Sequence, residues 1–181
     1  MRIIRTAIPD VLVFEPKVHG DDRGYFFESF NASKTPIAAL DWVQDNESMS
    51  TKGVLRGLHY QVGSFAQAKL VRAVIGEIYD VAVDIRPDSA TYGKWHGEIL
   101  SADNKRQMLV PRGFAHGFLV LSDKAIFAYK CDNFYDRQSE GGILYNDPGL
   151  EIRWPELDAP FRLSEKDLNQ PTFGSHRAYF E

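Results

Sequence analysis

A single cysteine, Cys131, in a chain of 181 residues rules out an internal disulfide. Long apolar runs are also missing. No stretch approaches the ~20 consecutive apolar residues that a membrane-spanning helix needs, and the opening "MRIIRTAIPDVLVFEP" breaks its apolar residues with charge and proline before any signal-like core can form. The expectation is a cytoplasmic protein with no membrane partner. Nor is there an excess of positive charge. With 21 Lys and Arg against 25 Asp and Glu, the net charge of −4 gives no basic field of the kind that binds nucleic acid. What is present is 44% hydrophobic and 13% aromatic composition, enough at this length to bury roughly 70% of the unfolded chain's surface around one core. One unit covering residues 1–181 is expected, because no repeat, low-complexity tract or linker divides the chain.

Helical periodicity is scarce as well. Only "TPIAALD" (35–41) carries a helix signature, with Thr35 as N-cap and Pro36 at the first helical position. Strand signals dominate. In "EIYDVAVDIR", Tyr79, Val81, Val83 and Ile85 alternate with Asp80, Asp84 and Arg86, the period of two that a half-buried strand requires. "AKLVRAVIGEI" precedes it as a second strand, with a turn at Gly76–Glu77. Short apolar runs at "VLVFEP", "YFFESF", "WHGEIL", "RQMLVP", "FLVLS" and "AIFAYKC" are separated by Gly, Pro, Asp and Asn. Many short strands at close spacing predict an all-β sandwich or barrel. The last third, with Pro148, Pro155, Pro160 and Pro171, reads as loops laid over the sheets.

Seven segments carry the chemistry. They are "GDDRGYFFESF", "VQDNES", "GVLRGLHYQ", "AQAKLVRAVIGEIYDVAVDIR", "VPRGFAHGFLVLS", "YKCDNFY" and "LSEKD". In order and spacing, from about residue 3 to about residue 170, they resemble the dTDP-4-dehydrorhamnose 3,5-epimerase family. The resemblance implies a cupin-type β jelly roll with a few short helices, usually a homodimer. It also implies inversion of C3 and C5 of dTDP-4-dehydro-6-deoxy-D-glucose without metal or organic cofactor.

Inverting a carbon beside a ketone needs a base to take the C–H proton, a group to hold the enolate, and an acid to reprotonate the opposite face. By resemblance His59 is the base and Asp167 the carboxylate that pairs with it. Tyr129 is the acid, and Lys69 faces the carbonyl oxygen. On the pattern of "AIFAYKC" alone, Tyr129 shares a face with Ala125, Phe127 and Cys131 and reads as core, and a lysine on an alternating strand reads as a solvated edge charge. The resemblance also places Arg23, Glu28, Gln44, Asp45, Asn46, Arg56, His116, Phe134, Glu140 and Lys166 against the substrate, with "DDRGYFFES" supplied by a partner subunit. Guanidinium forks suit phosphate oxygens.

A metal-binding cupin presents His-x-His in its first motif. Here Gln61 stands two places after His59, and the second motif survives as "PRGFAH" with His116. Two histidines are too few for a first-row metal site. His19, His96 and His176 match no motif. Two departures from the family pattern, Phe134 where a second tyrosine is common and Met49 where a basic residue is common, touch binding rather than proton transfer. Two other functions fit the same residues: inversion at one carbon of another nucleotide 4-keto sugar, and a sugar-nucleotide-binding cupin without catalysis.

Overall fold

The protein is described here as a computed structural model in which residues 1–33 and 40–180 are described. The helix expected over 35–41 lies for the most part outside them. Thirteen strands follow in chain order: β1 (Arg2–Arg5), β2 (Leu12–Glu15), β3 (His19–Asp21), β4 (Gly24–Phe26), β5 (Gln44–Thr51), β6 (Leu55–Gln61), β7 (Lys69–Ile75), β8 (Glu77–Asp84), β9 (Trp95–Ser101), β10 (Gln107–Val110), β11 (Phe114–Val120), β12 (Lys124–Cys131) and β13 (Glu140–Gly142). Among the described residues one short α-helix, α1 (Glu165–Leu168), comes late. The strands form a six-stranded sheet in the order β1-β2-β10-β7-β12-β5, a five-stranded sheet in the order β13-β6-β11-β8-β9, and a separate β3-β4 ribbon. Sequence neighbours repeatedly fall in different sheets, which is the jelly-roll signature.

Three apolar layers hold this arrangement together. Between the sheets, Val13, Val71, Met108 and Phe127 of the six-stranded sheet meet Ile78, Ala82, Leu100, Phe118 and Val120 of the other. Outside the five-stranded sheet, Leu58, Val81, Val83 and Ala115 are covered by Ile143, Leu150, Trp154 and Phe173, so the proline-rich last third is indeed laid over a sheet. Outside the six-stranded sheet, Phe14, Leu70 and Leu109 lie under Phe30, Leu40 and Trp42.

Two expectations about the strands change. The connection at Gly76 is not a hairpin, because β7 and β8 belong to different sheets. It is a sharp corner where a Cβ would lie 2.1 Å from the Lys124 carbonyl oxygen, and Gly76 sits at φ 74°. The alternation in β8 holds, but its polar face is not the solvent face. Asp80 and Asp84 point inward and are fully buried, while Val81 and Val83 pack under the C-terminal segment. A strand covered on both sides has no solvent face for the alternation to mark.

Candidate active site

Residues of both sheets border two adjoining cavities of about 310 Å³ and 170 Å³, and His59, Lys69 and Tyr129 line both. His59 comes from β6 in the five-stranded sheet, whereas Lys69 on β7 and Tyr129 on β12 come from the six-stranded sheet. The local reason that β6 can carry His59 inward is Gly57. At φ 112°, with a built Cβ only 2.6 Å from the His116 carbonyl oxygen, this position lets β6 and β11 approach more closely than any side chain would allow. The register between those strands shifts at the same point.

His59 Nε2 lies 2.5 Å from Asp167 Oδ1. Asp167 is buried and fixed twice more: Ser164 caps α1 by accepting from the Asp167 backbone N–H at 3.1 Å, and its hydroxyl donates to Asp167 Oδ2 at 2.9 Å. Burial pushes the Asp167 carboxyl up, but the bonds from His59 and Ser164 together with the imidazole charge outweigh it and hold the group below its ordinary value. An ionised Asp167 orients the ring and leaves Nδ1 as the nitrogen able to take a proton.

Lys69 is half-buried, with its ammonium 5.9 Å from the centre of the Tyr129 ring. Among the described residues it makes no ion pair within 4 Å. Burial lowers its pKa, while the more distant charges of Asp80 and Glu140 pull the other way. Tyr129 packs against Phe127, 5.4 Å between ring centres, and burial raises its phenol pKa, opposed by the Arg56 charge. It therefore stays protonated at neutral pH.

Around these four, Arg56 and His116 line the smaller cavity, and Gln44, Asn46 and Glu140 line the larger. Gln44 and Asn46 reach the cleft from β5, a strand whose inward row is wholly polar: Gln44, Asn46, Ser48 and Ser50. Arg56 Nε donates to Ser50 Oγ at 3.2 Å. Lys166 pairs with Glu140 at 2.6 Å. His116 is not free for a ligand at both nitrogens, because its Nε2 contacts both oxygens of Asp80, at 2.9 and 3.1 Å.

Four of the residues expected at the substrate are not brought to the cleft. Asp45 points to the other side of β5 and pairs with Lys130 at 2.9 Å. Phe134 is 62% exposed and lines neither cavity, whereas its neighbour Tyr135 lines the larger one. Arg23 and Glu28 lie in or beside the β3-β4 ribbon, where Arg23 bonds Asp21 at 2.6 Å. Sequence reading missed two participants. Tyr135 ends the "YKCDNFY" motif, and Asp80 stands on the polar face of the alternation in β8, which in a half-buried strand faces solvent.

Among the described residues, no three His, Cys, Asp or Glu side chains are grouped so as to hold a metal ion. The site is that of a jelly roll in which an imidazole on one sheet, paired with a carboxylate on α1, faces a phenol and an ammonium on the other sheet, an arrangement of acid and base groups typical of an enzyme cleft. A family model described as dTDP-4-dehydrorhamnose 3,5-epimerase matches residues 5–175, and the chain belongs to that family of isomerases. A protein of that name from Shigella flexneri is 58% identical over 176 residues, covering 96% of each chain. A solved 3,5-epimerase from Legionella pneumophila, in complex with dTDP-4-keto-L-rhamnose, is 50% identical with a TM-score of 0.92, covering 96% of this chain and 93% of that one. A 3′-monoepimerase from Streptomyces bikiniensis, in complex with dTDP-quinovose, is 32% identical with a TM-score of 0.88, covering 94% of this chain and 87% of that one.

Proposed function

We propose that this chain inverts C3 and C5 of dTDP-4-dehydro-6-deoxy-D-glucose, with His59 as base and Tyr129 as acid. The observation that carries the assignment is that the two project into one cleft from opposite sheets, as removal from one face of a sugar and return to the other demands. His59 Nδ1 takes the proton from the carbon beside the ketone, and Asp167 favours the imidazolium that results. The electron pair moves onto the C4 oxygen, beside the Lys69 ammonium. An oxyanion partner of this kind is typically worth ~2.7–4 kcal/mol. The Tyr129 hydroxyl then delivers a proton to the other face of the carbon. Solvent restores both residues.

Arg56, Gln44, Asn46, His116, Glu140 and Lys166 border the cleft or adjoin it and hold the substrate in this reading. The exposed ribbon supports a homodimer in this reading. Tyr25 and Phe26 on β4 are 61% and 67% exposed, and Arg23 lies with them away from the cleft, so the ribbon of a second copy would bring Arg23 and Glu28 to it. No helix among the described residues is long and apolar enough to cross a membrane, and a nucleotide-linked substrate suits a cytoplasmic enzyme.

The test is proton NMR of the 4-keto sugar nucleotide in D2O with EDTA present. Deuterium at both C3 and C5 with formation of the L-lyxo product is the expected result. Deuterium at one carbon favours the single-inversion reading, for which the Streptomyces bikiniensis relative offers the precedent. Tyr129→Phe is expected to abolish net inversion while solvent exchange at the acidic carbons continues, since the base is kept. Equal loss of both would remove Tyr129 from the acid role.

A further inference from the structure

Gln61 closes β6 and is buried. Its amide makes three bonds, all to backbone groups, and both of its N–H donors are used. Nε2 donates to the Phe65 carbonyl at 3.0 Å and to the Phe134 carbonyl at 3.2 Å, while Oε1 accepts from the Asp136 N–H at 2.7 Å. The last two contacts fall on either side of Tyr135. That residue is half-exposed, lines the larger cavity, and donates its hydroxyl to Glu140 Oε2 at 3.2 Å. Glu140 lies directly opposite Gln61 in the β13–β6 register. The loop root is tied to the neighbouring turn by Asn133, which donates to the Ser64 carbonyl at 2.8 Å, yet Gln61 is the side chain that reaches both flanks of Tyr135.

We propose that Gln61 is a positioning residue that holds Tyr135 at the cleft mouth and so sets the affinity for substrate, not the rate of proton transfer. The proposal rests on the reading that the cleft takes a dTDP-linked sugar. It also gives a reason for the residue type. A neutral imidazole offers one donor and one acceptor and a carboxylate offers acceptors alone, whereas two donations and one acceptance from a single buried side chain require a primary amide.

The experiment compares wild type, Gln61→Met, Tyr135→Ala and the double variant, with kcat and KM measured separately on dTDP-4-dehydro-6-deoxy-D-glucose. Gln61→Met is expected to raise KM about tenfold with kcat within about threefold, the scale of a lost buried hydrogen-bond set. The double variant is expected to be no worse than Tyr135→Ala, because the two act through one contact. An unchanged KM in folded Gln61→Met, or KM effects that multiply in the double variant, would overturn the proposal. So would an unchanged KM in Tyr135→Ala. If wild type itself leaves C3 and C5 unexchanged, the reading of the substrate has failed instead. Should Gln61→Met not fold, amide exchange on wild type decides: the Asp136 N–H is expected to exchange far more slowly than an open loop amide, and exchange at the open rate sinks the idea.

Discussion

Two of the imidazole–carboxylate pairs among the described residues have their histidines on neighbouring strands, His59 and His116 being opposite each other in the β6–β11 register, and they are built to opposite ends. In the first, His59 is about one-third exposed in the cleft, and Asp167 is held ionised by His59 and Ser164 against the cost of burial. In the second, both members are buried, and burial pushes the Asp80 carboxyl up despite the opposing pull of His116 and Lys69. The same two functional groups thus give one pair open to solvent and another buried beside the smaller cavity. Chemistry follows from the surroundings more than from the residue names.

The largest expected effect comes from breaking the first pair at its base. His59→Ala is expected to abolish deuterium uptake at both carbons. Uptake at the wild-type rate would remove it as base. Asp167→Asn keeps the shape and loses the charge, so a fall in kcat of roughly 10²–10⁴-fold is expected, the range assigned to positioned acid–base groups, with the protein still folded by circular dichroism.

Breaking the second pair should read differently. Asp80→Asn removes an anion that holds up the Lys69 pKa, so the alkaline limb of the pH–rate profile should move to lower pH. An unmoved limb would uncouple Asp80 from Lys69. The same change disturbs a buried hydrogen-bonded group, for which a loss of about 1–3 kcal/mol of stability is typical.

The smallest effect sharpens the contrast within one strand. Asp84 lies four residues from Asp80 on the same buried face. Burial pushes Asp84 up, but Arg86, Ser89 and Thr91 donate to it and bring its pKa down to about 2. A carboxyl whose folded pKa is depressed from 3.8 contributes stability above that value and loses it as pH falls towards 2. Acid titration should therefore show about 2 kcal/mol of stability lost across this window. Asp84→Asn should flatten that part of the curve without altering kcat at neutral pH.

How much of this was legible in the sequence varies with the kind of signal. The strands β7 to β12 were visible because their apolar residues alternate or run together. β5 was not, since "QDNESMST" offers an inward row of amides and hydroxyls with little strand propensity. Its shape comes from pairing along the whole of β12, Gln44 to Thr51 against Cys131 to Lys124. The motif "GVLRGLHYQ" drew attention to His59 and Gln61, yet neither the contact of His59 with Asp167 nor the three bonds of Gln61 could be read from it, because both depend on where distant backbone returns. The burial of Asp80 is illegible for a related reason. A carboxylate on an alternating strand looks solvated until the covering layer is known.

The contact between His59 and Asp167 spans 108 positions of chain. It depends on the segment around Arg162, whose backbone exchanges hydrogen bonds with Gly53 and Leu55 beside the start of β6. Both sheets are complete in sequence by Gly142, some way before the carboxylate is reached. On a ribosome, then, the scaffold is synthesised first and the partner of His59 emerges afterwards: a nascent chain halted between these points would contain every strand of the cleft and still lack the His59–Asp167 contact.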